Sequence, residues 1–300
     1  MAIQQAIIVE VSVANHSEIR DHVLHRMGRI TPTEPTNDIK LTLDERLARA
    51  GVPMVEISFL GTGNAFCPPD RLHSLVLIDG SILVDAPPTV VPQLRRVGGS
   101  PAQITDLLIT HWHGDHTFGL PFLLLERKYI SDREGGRNLT IHCHRGGEER
   151  LRHLCDLAYP GSLEDLEWLS FNEDEGRVGQ WSFQRFEVCH DPATEPHGYR
   201  FVHDEGFVLV HCGDSGPCAN IEALAGEADV MIIELGIPDH VDSPYHYTPS
   251  RVRELAESHP DTIFLATHHY ADGAEGSGGF ERPELPANVI QAEDGDQFVY

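Results

Sequence analysis

From Val55 onward, short runs of apolar and β-branched residues alternate with glycine, proline and polar turns. Val55-Glu56-Ile57-Ser58-Phe59-Leu60 has the period of a strand and runs into Gly61-Thr62-Gly63. No helix start follows these glycines, so they read as a tight turn rather than a phosphate loop. Leu75 to Ile78 and Ile82 to Asp85 predict a hairpin closed by Asp79-Gly80. Thr89 to Val97 predicts a helix before Gly98-Gly99, and the apolar run from Ile104 to Thr110 predicts a buried strand. Further strands are expected at Leu139 to His144, Trp181 to Val188, Tyr199 to Val202, Gly206 to Val210, Val230 to Glu234 and Thr262 to Ala266. Helices are expected at Phe118 to Tyr129, after Gly146-Gly147, and at Ser250 to Ser258. Val289 to Tyr300 is expected to end the domain with a pair of strands. Strands and helices alternating in this way predict an α/β protein.

Residues 1–53 read as an N-terminal extension to a main domain of residues 54–300. Within the extension, Ala6 to Val13 has strand character and Ser17 to Met27 helical spacing with Ser17 as N-cap. Thr31 to Asn37, with two prolines, reads as a linker, and Leu43 to Ala50 as a short helix stopped by Gly51. The extension is expected to cover an edge of the domain or to join two copies as a homodimer. The first residues carry no basic leader pattern, and no apolar run reaches the length of a membrane span. The expectation is a cytoplasmic protein with no membrane partner.

Composition narrows the partners. Lysine and arginine number 22 against 47 acids, a formal charge of −25. Such a surface repels polyanions unless a local arginine patch reverses the field, which disfavours a large nucleic acid as substrate. Six cysteines are scattered without a C-x-x-C pair, so reduced thiols are expected in a chain that needs no disulfide staples. Cys189, Cys212 and Cys218 stand close enough to His190 and Asp214 in the chain to touch a metal, but small buried hydrophobes are the simpler reading for all six.

The chemistry concentrates in His111-Trp112-His113-Gly114-Asp115-His116. Four nitrogen and oxygen donors within six residues, between an apolar strand and the run from Phe118 to Leu125, suit zinc, manganese or iron. The H-x-H-x-D-H spacing resembles the signature of the metallo-β-lactamase superfamily of binuclear metal hydrolases. The wider stretch from Ile109 to Pro121, with its Gly119-Leu120-Pro121 continuation, is most similar to the ribonuclease Z branch. The resemblance covers about Val55 to Tyr300. It implies a four-layer αββα sandwich with two divalent metal ions at one edge of the packed sheets. Leu157 to Gly179 is acidic and aromatic, and lacks the basic Gly- and Pro-rich arm with which ribonuclease Z enzymes grip transfer RNA.

By the same resemblance, His111, His113 and His190 hold one metal, Asp115, His116 and His268 the other, and Asp214 bridges them. His197 is the alternative to His190, and His269 the alternative to His268. Asp214 lies in a Gly-Asp-Ser turn and has the bland reading of a turn former or cap. His142 and His144 share a strand face and mimic a metal pair, although a structural strand is the preferred reading. Zinc suits the mixed donors best, with manganese and iron as alternatives. The family pattern also places a general acid at His246, oriented by Glu234; a cap or surface role is its bland alternative. Asp115, His246 and Glu234 form the candidate catalytic set.

The implied reaction is hydrolysis by a metal-bridging hydroxide, most simply of small phosphodiesters. The alternative is a lactonase, a carboxylic ester hydrolase or an arylsulfate ester hydrolase, since the fold does not fix the chemistry. A redox di-iron protein fits less well, because those relatives carry Glu at the position of His113. A non-catalytic module on a dead hydrolase is the third class, against which the full ligand set speaks.

Overall fold

The computed structural model describes residues 55–273 and 280–300. The strand, helices and linker read in residues 1–53, and most of the glycine-rich stretch after Asp272, lie outside the described residues. The first half runs β1 (Glu56–Gly61), β2 (Leu75–Ile78), β3 (Ile82–Val84), α1 (Val90–Arg96), β4 (Asp106–Leu108), α2 (Gly114–Thr117), α3 (Leu120–Glu126), β5 (Leu139–His142), α4 (Gly147–Ala158) and β6 (Leu169–Asn172). The second half runs β7 (Gly176–Val178), β8 (Trp181–Glu187), β9 (His197–His203), β10 (Val208–His211), α5 (Ala219–Ala225), β11 (Val230–Glu234), α6 (Pro249–Ser258), β12 (Ile263–Thr267), β13 (Val289–Gln291) and β14 (Gln297–Val299).

These strands form two seven-stranded sheets, ordered β14-β1-β2-β3-β4-β5-β6 and β13-β12-β11-β10-β9-β8-β7. Each sheet is antiparallel at one side and parallel from β3 to β6 or from β10 to β13. Parallel strands are covered on both faces, which is why β11 and β12 are buried at every position. On one side of the first sheet Leu83, Leu107 and Ile141 cluster with Leu94 of α1, Leu123 of α3 and Leu151 of α4. In the second, Val210, Met231 and Phe264 cluster with Ile221 of α5 and Val252 and Leu255 of α6. Full burial of each such side chain stabilises by about 1.5–3 kcal/mol. The two sheets face each other: Trp181 Nε1 donates to Asp79 Oδ2 at 2.7 Å, Tyr199 Oη donates to the Ile109 carbonyl at 2.7 Å, and the His142 and Phe183 rings meet edge to face at 5.0 Å. The architecture is the αββα sandwich.

Two readings change, and one stretch left without elements gains them. Val289 to Tyr300 does not close on itself, because β13 pairs with β12 in one sheet and β14 with β1 in the other. The connecting turn is pinned between the sheets, with Asp294 accepting from Thr62 Oγ1 and the Leu72 amide, and Gly295 at φ 100° donating to the Phe59 carbonyl. A side chain at that φ would be strained, which leaves the crossing to glycine. Leu157 to Gly179 contributes two edge strands, β6 in the first sheet and β7 in the second. The helix expected over Phe118 to Tyr129 begins two residues later as α3 and passes into a π-turn over Arg127–Ser131. Here the buried Arg127 guanidinium donates to the carbonyls of Pro101, Ile104, Arg137 and Asn138.

Candidate metal centre

The donors gather outside the carboxyl ends of the parallel strands, where α/β sheets leave an open crevice. β4 ends at Leu108 and leads through Ile109-Thr110 to His111 and His113; Gly114 then starts α2, whose first turn carries Asp115 and His116. In the facing sheet, β8 leads to His190, β10 to Asp214, β11 ends in Glu234, and β12 leads to His268. Three groups of donor atoms result among the described residues, each with all atoms within 4.8 Å of one another: His111, His113, His190 and Asp214; Asp115, His116, Asp214 and His268; and Glu234, His246 and His268. Asp214 belongs to the first and second, and His268 to the second and third.

The contacts within them are those of donors aimed at common points. His111 Nε2 and His190 Nε2 face His113 Nδ1 at 3.0 and 3.1 Å. Asp214 Oδ2 lies 3.8, 3.4 and 3.2 Å from His111, His116 and His268 Nε2. His116 Nε2 is buried without a hydrogen bond, although Asp115 and Asp214 oxygens lie 3.3 and 3.4 Å away. An orphaned buried nitrogen between carboxylates is expensive unless a cation completes it.

The electrostatics ask for the same thing. Burial opposes charge on His116 and His268, yet Asp214 and Asp115, with Asp85 at His116 and Glu234 at His268, overcome it. His116 is held protonated well above the ordinary range, and His268 is raised to about 10. Burial drives His111 the other way, assisted by the His116 charge. Asp115 and Asp214 stay ionised against their burial because of the His116 and His268 charges. Protons on His116 and His268 thus supply positive charge that metal cations can supply instead, and the residues present fit two divalent ions.

The paired alternatives separate by position. His190 stands in the first group, its Nδ1 donating to the Tyr245 carbonyl at 3.0 Å. His197 is in none of the groups. Its ring contacts Tyr199 Oη at 3.1 Å and the Glu195 carbonyl at 3.2 Å, and burial lowers its pKa to about 4. His268, in the left-handed region at φ 50°, is in the second group, whereas His269 is fully buried and in none of them. His142 is fixed between Asp106 at 2.8 Å and Asn172 at 3.0 Å. The six cysteines are free and none belongs to a donor group; Cys143, Cys155 and Cys212 are buried as expected, whereas Cys67, Cys189 and Cys218 are only half-buried.

Beside the second group, His246 Nδ1 lies 3.0 Å from both Glu234 oxygens. Glu234 is buried with 1% side-chain exposure while His246 retains 26%, so the imidazole reaches solvent and the carboxylate does not. Ser215 N also donates to Glu234 Oε1 at 2.7 Å. Burial works against charge on His246, but the Glu234 hydrogen bond and charge raise its pKa above the usual imidazole value. The helix cap after it is Thr248, whose Oγ1 accepts from the Arg251 amide, so His246 is not the cap.

Two residues of this region escaped the sequence reading. Asp85, just past β3 at φ 71°, accepts from Thr110 N at 2.8 Å and Thr110 Oγ1 at 2.9 Å, and from His116 Nδ1 at 2.7 Å. Its signal was a carboxylate at the end of a buried strand, at the same sheet edge as the histidines. Gly236 was also missed: a Cβ there would stand 2.0 Å from Glu234 Oε2 and 3.0 Å from His246 Nδ1.

Two mixed sheets in a sandwich with clustered His and Asp at one edge define a metal hydrolase type of site. A family model, the beta-lactamase superfamily domain, matches residues 81–269, and the chain belongs to that family. Membership implies divalent metal ions, for which the two donor groups sharing Asp214 are present. Ribonuclease Z of Pyrobaculum arsenaticum is 27% identical over 294 residues, covering 83% of this chain and 99% of that protein. Among solved structures, the human short-form tRNase Z matches with a TM-score of 0.62 at 22% identity, over 81% of this chain and 98% of that one. A diphosphatase of the PhnP family matches with a TM-score of 0.63 at 22% identity, over 83% of this chain and 98% of that one.

Proposed function

We propose that this protein is a metal-dependent phosphodiesterase, resembling ribonuclease Z in its chemistry and acting on small phosphodiesters. The observation that carries the reading is the pair of donor groups sharing Asp214, with the His246–Glu234 pair directly beside them. His111, His113 and His190 are the ligands proposed for one cation, Asp115, His116 and His268 for the other, and Asp214 for both. Zinc is the metal proposed first, on its affinity for mixed imidazole and carboxylate donors. When bound, such a pair of ions supplies a water ionised near neutral pH and Lewis-acid neutralisation of phosphate oxygens.

The chain's own groups do the rest. Asp85 holds the His116 ring by its Nδ1 and so fixes which nitrogen faces Asp214. Glu234 orients His246 and favours its protonated form, so that His246 can give its proton to the leaving alkoxide. A phosphodiester with a poor leaving group needs that proton, and the position of His246 beside the second donor group supports this role. The relatives named ribonuclease Z bring RNA into view, but 47 acids against 22 basic residues favour small substrates.

The test is hydrolysis of bis-4-nitrophenyl phosphate, a lactone panel and an aryl sulfate panel by protein loaded with zinc, manganese or iron. The proposal expects phosphodiester turnover that a chelator abolishes and Asp214→Ala does not retain. Chelator-insensitive activity, or turnover confined to lactones or sulfates, would sink it.

A further inference from the structure

On the His190 side of the donor groups lies a cleft of about 480 Å³, lined by His144, Phe186, Glu187, His190, Glu195 and His197 among others. It shares His190 with the first donor group, so whatever fills it is adjacent to the reaction centre. We propose that this cleft binds a planar, amino-bearing nucleobase attached to the scissile phosphodiester, a specificity subsite that rests on the phosphodiesterase reading.

The walls support a flat ring. The His144 and His197 imidazoles stand 6.1 Å apart between centroids, inclined at 43°. Prolines 192 and 196 add rigid apolar faces, and both line the cleft. Phe186 is drawn in by Gly198, where a Cβ would collide with its ring at 2.3 Å. Both ring nitrogens of His197 are engaged with Tyr199 and Glu195, and burial keeps the ring neutral, so it backs the exposed His144 ring without adding a charge to the cleft. Flat faces of this kind stack on any base.

The polar groups choose among bases. Glu187 is exposed at the end of β8, and Glu195 stands at the rim with a left-handed backbone at φ 51°. Glu195 is fixed there: its Oε2 accepts from Trp112 Nε1, and the Trp112 ring is backed by the Arg150 guanidinium at 4.9 Å. Gly147 permits that packing, since a Cβ would meet the indole at 2.8 Å. Carboxylates accept hydrogen bonds from exocyclic amino groups and repel further anions. The Arg185 guanidinium also lines the cleft but already donates to the Glu173 and Asp174 carbonyls, so the carboxylates do the choosing and the cleft suits adenine or cytosine over uracil.

The experiment compares zinc-loaded wild type, His144→Ala and Glu187→Gln on three esters: adenosine 5′-(4-nitrophenyl phosphate), its uridine counterpart and methyl 4-nitrophenyl phosphate. The expected result is a kcat/KM preference for the adenosine ester over the methyl ester in wild type. His144→Ala should reduce that ratio about tenfold, the usual scale for one lost stacking face. Glu187→Gln should narrow the adenosine to uridine ratio. Ratios near one in wild type, or ratios unmoved by both substitutions, overturn the assignment. If no diester is cleaved, the phosphodiesterase reading falls by itself, and the cleft is judged by adenosine binding followed through indole fluorescence. Saturable binding that His144→Ala weakens supports the subsite. No saturation, or equal binding in that variant, overturns it.

Discussion

Replacing Asp85 separates the orientation of a ligand from its mere presence. The carboxylate satisfies three buried donors at once: Thr110 N, Thr110 Oγ1 and His116 Nδ1. Asp85→Ala strands all three, at about 1–3 kcal/mol each. It also puts alanine at φ 71°, where a residue without a local polar side chain is disfavoured by about 1–2 kcal/mol. The total, about 4–11 kcal/mol, is comparable with the whole stability of a typical domain, so this variant is expected to fold poorly. Asp85→Asn tolerates the backbone and keeps one acceptor oxygen, but withdraws the negative charge behind His116. Substitutions behind a metal-binding imidazole cost about 10–100-fold in metal affinity. The assay is competition for zinc against a chromogenic chelator, beside thermal unfolding of the metal-free chain. Unchanged zinc affinity in a folded Asp85→Asn protein would refute the orienting role.

The other predictions concern protons and ligand identity. In chelator-treated protein, the raised pKa of His268, about 10, contributes stability that is complete below the unfolded value near 6.5 and lost as pH rises towards 10. The melting temperature of metal-free protein should therefore fall over that window more steeply than that of zinc-loaded protein, and parallel curves would contradict this. His246→Ala should slow diesters with alkyl leaving groups about 10²–10⁴-fold while sparing 4-nitrophenyl leaving groups. Because Glu234 raises the His246 pKa, Glu234→Gln should move the alkaline limb of kcat to lower pH, and a limb that stays in place would remove His246 as the acid. Elemental analysis should find about half the metal per chain in His190→Ala and the full amount in His197→Gln; the reverse would exchange their roles.

Most strands were legible because a buried strand between two layers is apolar throughout, as in Val230–Glu234, and turn residues bound it. The hexapeptide was legible because its donors are contiguous. His190 against His197, and His268 against His269, were not separable, since strand spacing says only that a histidine lies near a sheet edge. The left-handed turn at His268 is what parts it from its neighbour. Asp85 stayed hidden for another reason: nothing in a lone carboxylate after Val84 says that Thr110 and His116 will be brought to it by parallel pairing of β3 with β4. The divergence of β13 and β14 was equally silent, because pairing partners more than 200 residues away, such as Ile57 for Phe298, leave no local mark.

Neither sheet carries the whole of either donor group that contains Asp214. His111, His113, Asp115 and His116 hang from the first sheet, while His190, Asp214 and His268 hang from the second. Under the ligand assignment proposed above, each cation is a suture across the seam between the two halves of the molecule. Its binding free energy then counts towards holding those halves together, about 4 kcal/mol per site when free metal stands at a thousand times Kd. Loading then becomes a form of proofreading: a chain that has docked its sheets wrongly cannot bring both sets of donors to one cation.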